Sequence, residues 1–331
     1  MMRYVLILFA IVFLLSCTKK DIQAYKHYVK KNPCIAVSFN ADKQNTNDFY
    51  MVKTFDANGI LTHLKTQLKD IEGNTYVYDY GITYASNVAK FAGRTTVYRW
   101  DFDKPPEAPP PLEFDPPVHP VKLEDQRDTR GFSITLDKNT GYATKAHFND
   151  DPLTNLTLQY DKRGFLDSVI VNYHFNSSDG DYFSSNNYDA TTDESGNIMS
   201  VYLKEEPTNE VLGLRYAYNE ANPKKHNQFY EPTNIFVHPL YTVLEVLNWG
   251  PFQPDHERNL VEIITTIPFT GIDWDYMITA DYLNHQYDER GNLTGYTFSG
   301  QFTKGFDYYY WHFGGQRNQK IVWSCNDSKV K

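Results

Sequence analysis

Three cysteines, ten histidines and 41 acidic residues are the side chains through which this 331-residue chain could do chemistry. Their spacing decides which chemistry is open. The histidines never fall at metal-ligand spacing: there is no His-Glu-x-x-His and no Cys-x-x-Cys, and "DHERN" around His256 lacks a second His. No Gly-x-Ser-x-Gly elbow or phosphate loop is present. Glycoside hydrolysis needs two acids roughly 5–10 Å apart, and nothing in the chain singles out such a pair. The sequence therefore points to no catalytic residue, no metal ligand and no cofactor.

The cysteines are more informative. "MMRYVLILFAIVFLLSCTKKD" carries one positive charge, Arg3, an apolar run from Tyr4 to Leu15, and then Ser16-Cys17. The run falls short of the roughly 20 residues a membrane-crossing helix needs and suits a signal peptide. Leu14-Leu15-Ser16-Cys17 resembles the bacterial lipobox, in which a small residue precedes the Cys that receives a diacylglyceryl group. The resemblance implies a lipoprotein signal peptide over 1–16 and lipid attachment at Cys17, with the bilayer as partner through acyl chains. The other reading is an ordinary signal peptide with a chance Cys. Each buried methylene contributes roughly 0.8 kcal/mol, so two or three chains anchor firmly. Residues 17–33, polar and Lys-rich, read as a tether. On this reading the protein is attached to the membrane without spanning it.

Export would place Cys34 and Cys325 in an oxidising compartment, where an even count suggests a pair. Each lies in a strand-like stretch, "NPCIAVSFN" and "KIVWSCND". They are a candidate disulfide joining first strand to last, or two buried thiols. Spacing alone does not decide between these.

The elements between them read as strands. There are 26 Tyr and 21 Phe against 5 Met, a bias toward half-buried pleated surfaces. Alternating runs recur from Cys34 onward, such as "LTNLTLQY", with Leu156, Leu158 and Tyr160 on one face, and "DSVIVNYHF", with Val169, Val171, Tyr173 and Phe175 on one face. The formal charge of −9, with no basic run, argues against nucleic acid as a partner.

Asp-x-x-Gly-x-(Ile/Leu) separates strand-like runs four times, at Asp56/Gly59, Asp161/Gly164, Asp193/Gly196 and Asp288/Gly291. "DIEGNT" from Asp70 is a degraded copy, and "DKNTGY" from Asp137 has one extra residue. Asp opens a type I turn by accepting backbone N–H groups, and Gly closes it at positive φ. These are structural turns; a calcium loop would need more oxygen ligands at closer spacing.

"YDKRGFL" and "YDERGNL" resemble the YD repeats of RHS-type proteins, although the chain is far too short for a toxin-enclosing shell. The closer resemblance, over residues 34–325, is to lipid-anchored proteins of Bacteroidota, in which a lipobox precedes a Tyr-rich meander with Asp-x-x-Gly-x-Leu turns. That resemblance implies a porin-like β fold. It carries over no catalytic residue.

Two segments break the meander. "DKPPEAPPPLEFDPPVHP", 103–120, holds 8 of the 17 prolines and cannot pair inside a sheet. It reads as a stiff excursion or a linker between subdomains. "HPLYTVLEVLNWGP", 238–251, places Leu240, Val243, Leu244 and Leu247 at helical spacing, with Pro239 in the first turn and Gly250-Pro251 closing it. Its apolar stripe should cover an open end or the concave face of the sheet. In "FDYYYWHFGG", Tyr308, Tyr310 and His312 share a strand face. They form a candidate aromatic platform for sugar rings, or a second packed layer. Asp167-Ser168-Val169 fits a short bacterial O-glycosylation pattern.

The expected fold is mainly β: one domain over 34–331, an antiparallel meander curving into a partial or closed barrel, with one short helix packed against it. The expected role is a non-catalytic, lipid-anchored outer-membrane protein, facing periplasm or outside, that binds a glycan or protein partner. A carbohydrate-active enzyme and a structural envelope component are the alternatives.

Overall fold

The computed structural model describes residues 24–26, 34–41, 49–69, 75–98, 126–128, 131–177, 180–205, 210–219, 228–230, 232, 239–250, 252, 254, 256–269, 272–304 and 315–325. Its strands are β1 (Cys34–Ala41), β2 (Tyr50–Phe55), β3 (Leu61–Lys69), β4 (Thr75–Ala85), β5 (Val88–Tyr98), β6 (Gln126–Asp128), β7 (Phe132–Leu136), β8 (Ala143–Phe148) and β9 (Asn155–Tyr160). There follow β10 (Leu166–Ser177), β11 (Gly180–Thr192), β12 (Ile198–Glu205), β13 (Glu210–Tyr218), β14 (Arg258–Phe269), β15 (Ile272–Tyr287), β16 (Leu293–Lys304) and β17 (Gly315–Cys325). One helix, α1 (Pro239–Leu247), lies between β13 and β14.

Apart from β6 and β7, each strand pairs antiparallel with its neighbours in sequence, and β1 pairs with both β2 and β17. The sheet is therefore a closed barrel. Its seventeen strands fill sixteen places, because β6 and β7 share one side of β5: Gln126–Asp128 sit against Thr95–Val97, and Phe132–Thr135 against Val88–Phe91. Closure runs from Cys34↔Cys325 to Ala41↔Gln319, with a bulge between Ala36 and Ser38. A closed ring leaves no sheet edge along its wall. The alternating faces read from sequence point inward and pair directly: Leu156 with Val171 and Leu158 with Val169, all four buried.

A ring of sixteen strands encloses a lumen wider than strand side chains alone can fill. The chain fills it with its own insert. Phe229 meets Phe39 of β1, and Tyr230 meets Tyr282 of β15 and Tyr296 of β16. Across the ring, the Trp249 ring lies against Phe91 of β5, and its carbonyl accepts from the N–H of Ala143 at 2.7 Å. α1 is buried on nearly every side: not only the expected stripe but also Tyr241, Thr242 and Val246 are inside. It thus packs on the concave face of a sheet that has closed round it. A helix buried all round need not be amphipathic in the surface-helix sense.

Two boundaries differ from the sequence reading. α1 stops at Leu247 rather than at Gly250-Pro251, because Asn248 adopts φ 58° and its N–H bonds the Glu245 carbonyl at 3.0 Å. Asn tolerates this left-handed cap. The stretch 17–33, expected to be tether throughout, gives Ala24 and Tyr25 to the interior. The Tyr25 ring sits 5.2 Å from that of Tyr84 and 6.0 Å from that of Trp249, and its hydroxyl accepts from Leu61 N at 3.2 Å. The body begins before residue 34. Residues 1–16, Cys17 and the Pro-rich 103–120 lie outside the described residues.

Candidate functional site

The Asp-x-x-Gly repeats form one turn built four times. At Asp56, Asp161, Asp193 and Asp288 the Asp carbonyl accepts from the Gly N–H at 2.9–3.1 Å, and the Asp N–H closes onto the residue after Gly. The carboxylate Oδ1 accepts from the N–H groups two and four residues on. Gly59, Gly164, Gly196 and Gly291 have φ of 74°, 84°, 87° and 78°, the left-handed region that glycine enters without strain. The backbone N–H of Ile60 holds the Asp56 carboxyl below its ordinary range, against some desolvation. Asp137, with its extra residue, turns through Gly141, its Oδ1 accepting from the N–H groups of Asn139 and Thr140, two and three residues on. Each Oδ1 is committed to the chain's own N–H groups, as a turn requires.

All of these turns lie at one end of the barrel, because in an antiparallel ring each joins the end of one upward strand to the start of the next. It is also the end where β1 begins and β17 stops. There Cys34 and Cys325 form a disulfide, with Cα atoms 4.1 Å apart. The Asp288 turn leans on it: Asn292 Nδ2 donates to Asp288 Oδ2 at 2.8 Å and to Cys325 Sγ at 3.7 Å.

Among the described residues, two cations that sequence reasoning missed lie inside the barrel. Lys53 looked like an ordinary polar residue of "DFYMVKTF", but β2 alternation turns it inward beside Met51. Its Nζ finds no hydrogen-bond acceptor among the described residues and sits 5.6 Å from the centroid of the Phe229 ring. Burial pulls the ammonium down to about 7. Arg258 lies over Tyr216 and Tyr230, at 4.3 and 4.8 Å. Beside it Phe229, Glu245, Asn248 and Phe252 line a cavity with room for about one water molecule. A space of that size holds no organic substrate.

The outer wall is polar. Lys65, Lys90 and Lys320 are exposed at strand positions flanked by buried residues, and Lys145 is exposed beside buried Ala146. Asp79 reaches His63 at 2.8 Å and Lys65 at 3.8 Å, and Arg215 reaches Glu262 at 3.6 Å, all across neighbouring strands. A membrane-crossing barrel carries the reverse pattern, an outward apolar band, and a Lys or Arg at its midplane costs about 2–4 kcal/mol. The described wall carries these charges beside the exposed Val52, Leu283 and Val322.

Beyond Asn172↔Asn155, β10 leaves β9, and before Tyr188↔Leu203, β11 has not yet met β12. Among the described residues the β10–β11 ladder runs on to Ser177↔Gly180, and the N–H of His174 donates to Thr154 Oγ1 at 3.1 Å. His174 is held at its root, Nδ1 3.1 Å from Asp151 Oδ1 and Nε2 3.6 Å from Asp181 Oδ1. Phe183 stacks on the imidazole at 5.0 Å and remains 66% exposed; Tyr182, on the other face, is 54% exposed. Carboxylates thus lie near both ring nitrogens, with the closer contact at Nδ1. Among the described residues no three His, Cys, Asp or Glu side chains are grouped to hold a metal ion. Ser168 of the glycosylation pattern is buried and donates to Gln159 Oε1 at 3.0 Å. Tyr308, Tyr310 and His312 lie outside the described residues.

No family model matches the chain, and no curated protein does. Among solved structures it is similar to a porin-like protein from Bacteroides uniformis, at 12% identity over 88% of this chain and 97% of that one, TM-score 0.37. A porin-like protein from Bacteroides vulgatus is similar at 10% identity over 87% and 97%, TM-score 0.39. The Tc holotoxin pore of Photorhabdus luminescens matches at 11% identity over 87% of this chain and 16% of that one, TM-score 0.21.

Proposed function

We propose that this chain is a non-catalytic cell-envelope protein, held at the outer membrane by an acylated Cys17, whose barrel is a rigid body presenting a binding surface to a glycan or protein partner. The observation that carries this reading is the polarity of the barrel. Charged side chains and cross-strand ion pairs stand on the described outer wall, while α1, Trp249 and Tyr25 occupy the interior. A polar-walled barrel gains nothing from entering lipid, so attachment falls to the N-terminus. An occupied interior offers little passage, so binding falls to the outer surface. The Leu14-Leu15-Ser16-Cys17 sequence supplies the anchor.

Detergent phase separation tests it. The mature chain should enter the detergent phase, and the same chain released by proteolysis within the stretch before residue 24 should move to the aqueous phase. Cys17→Ala should abolish membrane recovery of the mature form. A released body that stays in detergent, or normal membrane recovery of Cys17→Ala, contradicts the proposal.

A further inference from the structure

We propose that the barrel stands with its Asp-x-x-Gly turn end against the lipid headgroups, held there by the short reach between Cys17 and Tyr25. This rests on the acylation of Cys17 proposed above and adds which surface of the body meets the bilayer. Tyr25 belongs to the first described stretch of the body and is seated at the turn end. Its hydroxyl accepts from the N–H of Leu61, the first residue of β3, and its ring lies against Tyr84 near the end of β4. Cys34 opens β1 at the same end. Only eight residue steps separate Cys17 from Tyr25, and fully extended they span at most about 29 Å.

The opposite end lies beyond easy reach. Tyr182 stands ten residues along β11 from Thr192 at the turn end. That is about 33 Å along the strand, and about 25 Å along the axis for strands tilted near 40°. To set the Tyr182 end on the bilayer, the chain would have to leave the lumen at Tyr25 and run almost straight beside the wall. With the turn end on the bilayer no such extension is required. The tips also suit headgroups better than the acyl interior. Lys138, Lys162, Arg163 and Arg290 are exposed there beside Glu194 and Glu289, so both signs of charge meet the phosphate and ammonium groups of a zwitterionic surface. Among the described residues, no large apolar side chain is exposed on an Asp-x-x-Gly turn. Exposed Leu153, Tyr182 and Phe183 stand toward the other end, where insertion into lipid is the rival arrangement.

The test uses the acylated full chain on phosphatidylcholine vesicles with an energy-acceptor dye on the headgroups. A donor fluorophore is placed at one added cysteine: Asn58→Cys, Lys138→Cys or Glu289→Cys at the tips, Tyr182→Cys at the other end. The roughly 25 Å between the ends should make transfer from the three tips at least about twofold that from Tyr182→Cys. Doubling the stretch between Cys17 and Ala24 with Gly-Ser residues should shrink this difference. Equal transfer from all four positions, or stronger transfer from Tyr182→Cys, overturns the inference. So does a difference that the longer stretch leaves unchanged, because reach would not be its cause. These results are read on protein that floats with the vesicles, so anchoring at Cys17 stands whichever is found. Protein that does not float defeats the anchoring itself, and this inference with it.

Discussion

Asp56 Oδ1 takes the N–H groups of Asn58 and Ile60 while Gly59 sits at φ 74°, and nothing lies within 4 Å of where its Cβ would be. Gly59→Val should therefore cost only backbone strain, roughly 1–3 kcal/mol. Gly196 has the same backbone, but an added Cβ would come within 2.4 Å of the Phe165 ring of the neighbouring turn. Gly196→Val should lose clearly more than Gly59→Val by denaturant unfolding; equal losses would mean the two turns do not touch. Lys53 gives a second residue-scale expectation. Its folded pKa, about 7, lies below its ordinary 10.5. The unfolded chain therefore binds more protons between these values, and stability should rise with pH from about 7 upward, by a few kcal/mol at most. Below about 7 the cost of burying the charge is fully present. Lys53→Met should be more stable than wild type at pH 7 and should flatten the rise between pH 7 and about 9.5, before the tyrosines of the unfolded chain titrate. An unchanged slope would place the Lys53 ammonium in contact with water.

At the scale of elements, the turns were legible because Asp and Gly are required by one backbone geometry, and that requirement is local. The alternation of β9 and β10 was legible for the same reason. α1 was legible in its existence but not in its placement: Leu240, Val243, Leu244 and Leu247 read as one stripe, yet Tyr241 and Val246 are equally buried. Only the closed ring decides that, and closure is a property of strands nearly the whole chain apart. Lys53 and the length of the β10–β11 ladder were missed for a related reason. Which face of β2 is inside, and where β9 and β12 stop, are set by register and not by composition. The lumen insert gives its own prediction. Trp249→Ala removes a ring lying on both Tyr25 and Phe91 and should cost about 3–5 kcal/mol. A loss under about 1 kcal/mol would mean that α1 and its flanks are not needed to hold the barrel.

For the whole molecule, the Cys34–Cys325 bridge closes a loop of 291 residues across the seam between β1 and β17. Chain entropy alone would give roughly 5 kcal/mol, and real bridges often give less. Cys34→Ala with Cys325→Ala should lower stability by no more than that and should increase association through the exposed seam edges. Unchanged melting and solubility would mean that the seam holds without the bridge. The proposed function requires that a closed barrel with a polar wall stand in water beside a membrane to which Cys17 would tie it. Spin labels at Lys65→Cys, Lys145→Cys and Lys320→Cys, in acylated protein on lipid vesicles, address it directly. Labels at all three positions should relax with a water-soluble nickel chelate and respond weakly to oxygen dissolved in the bilayer. A ring of labels shielded from nickel and exposed to bilayer oxygen would put the barrel in the membrane and contradict the account.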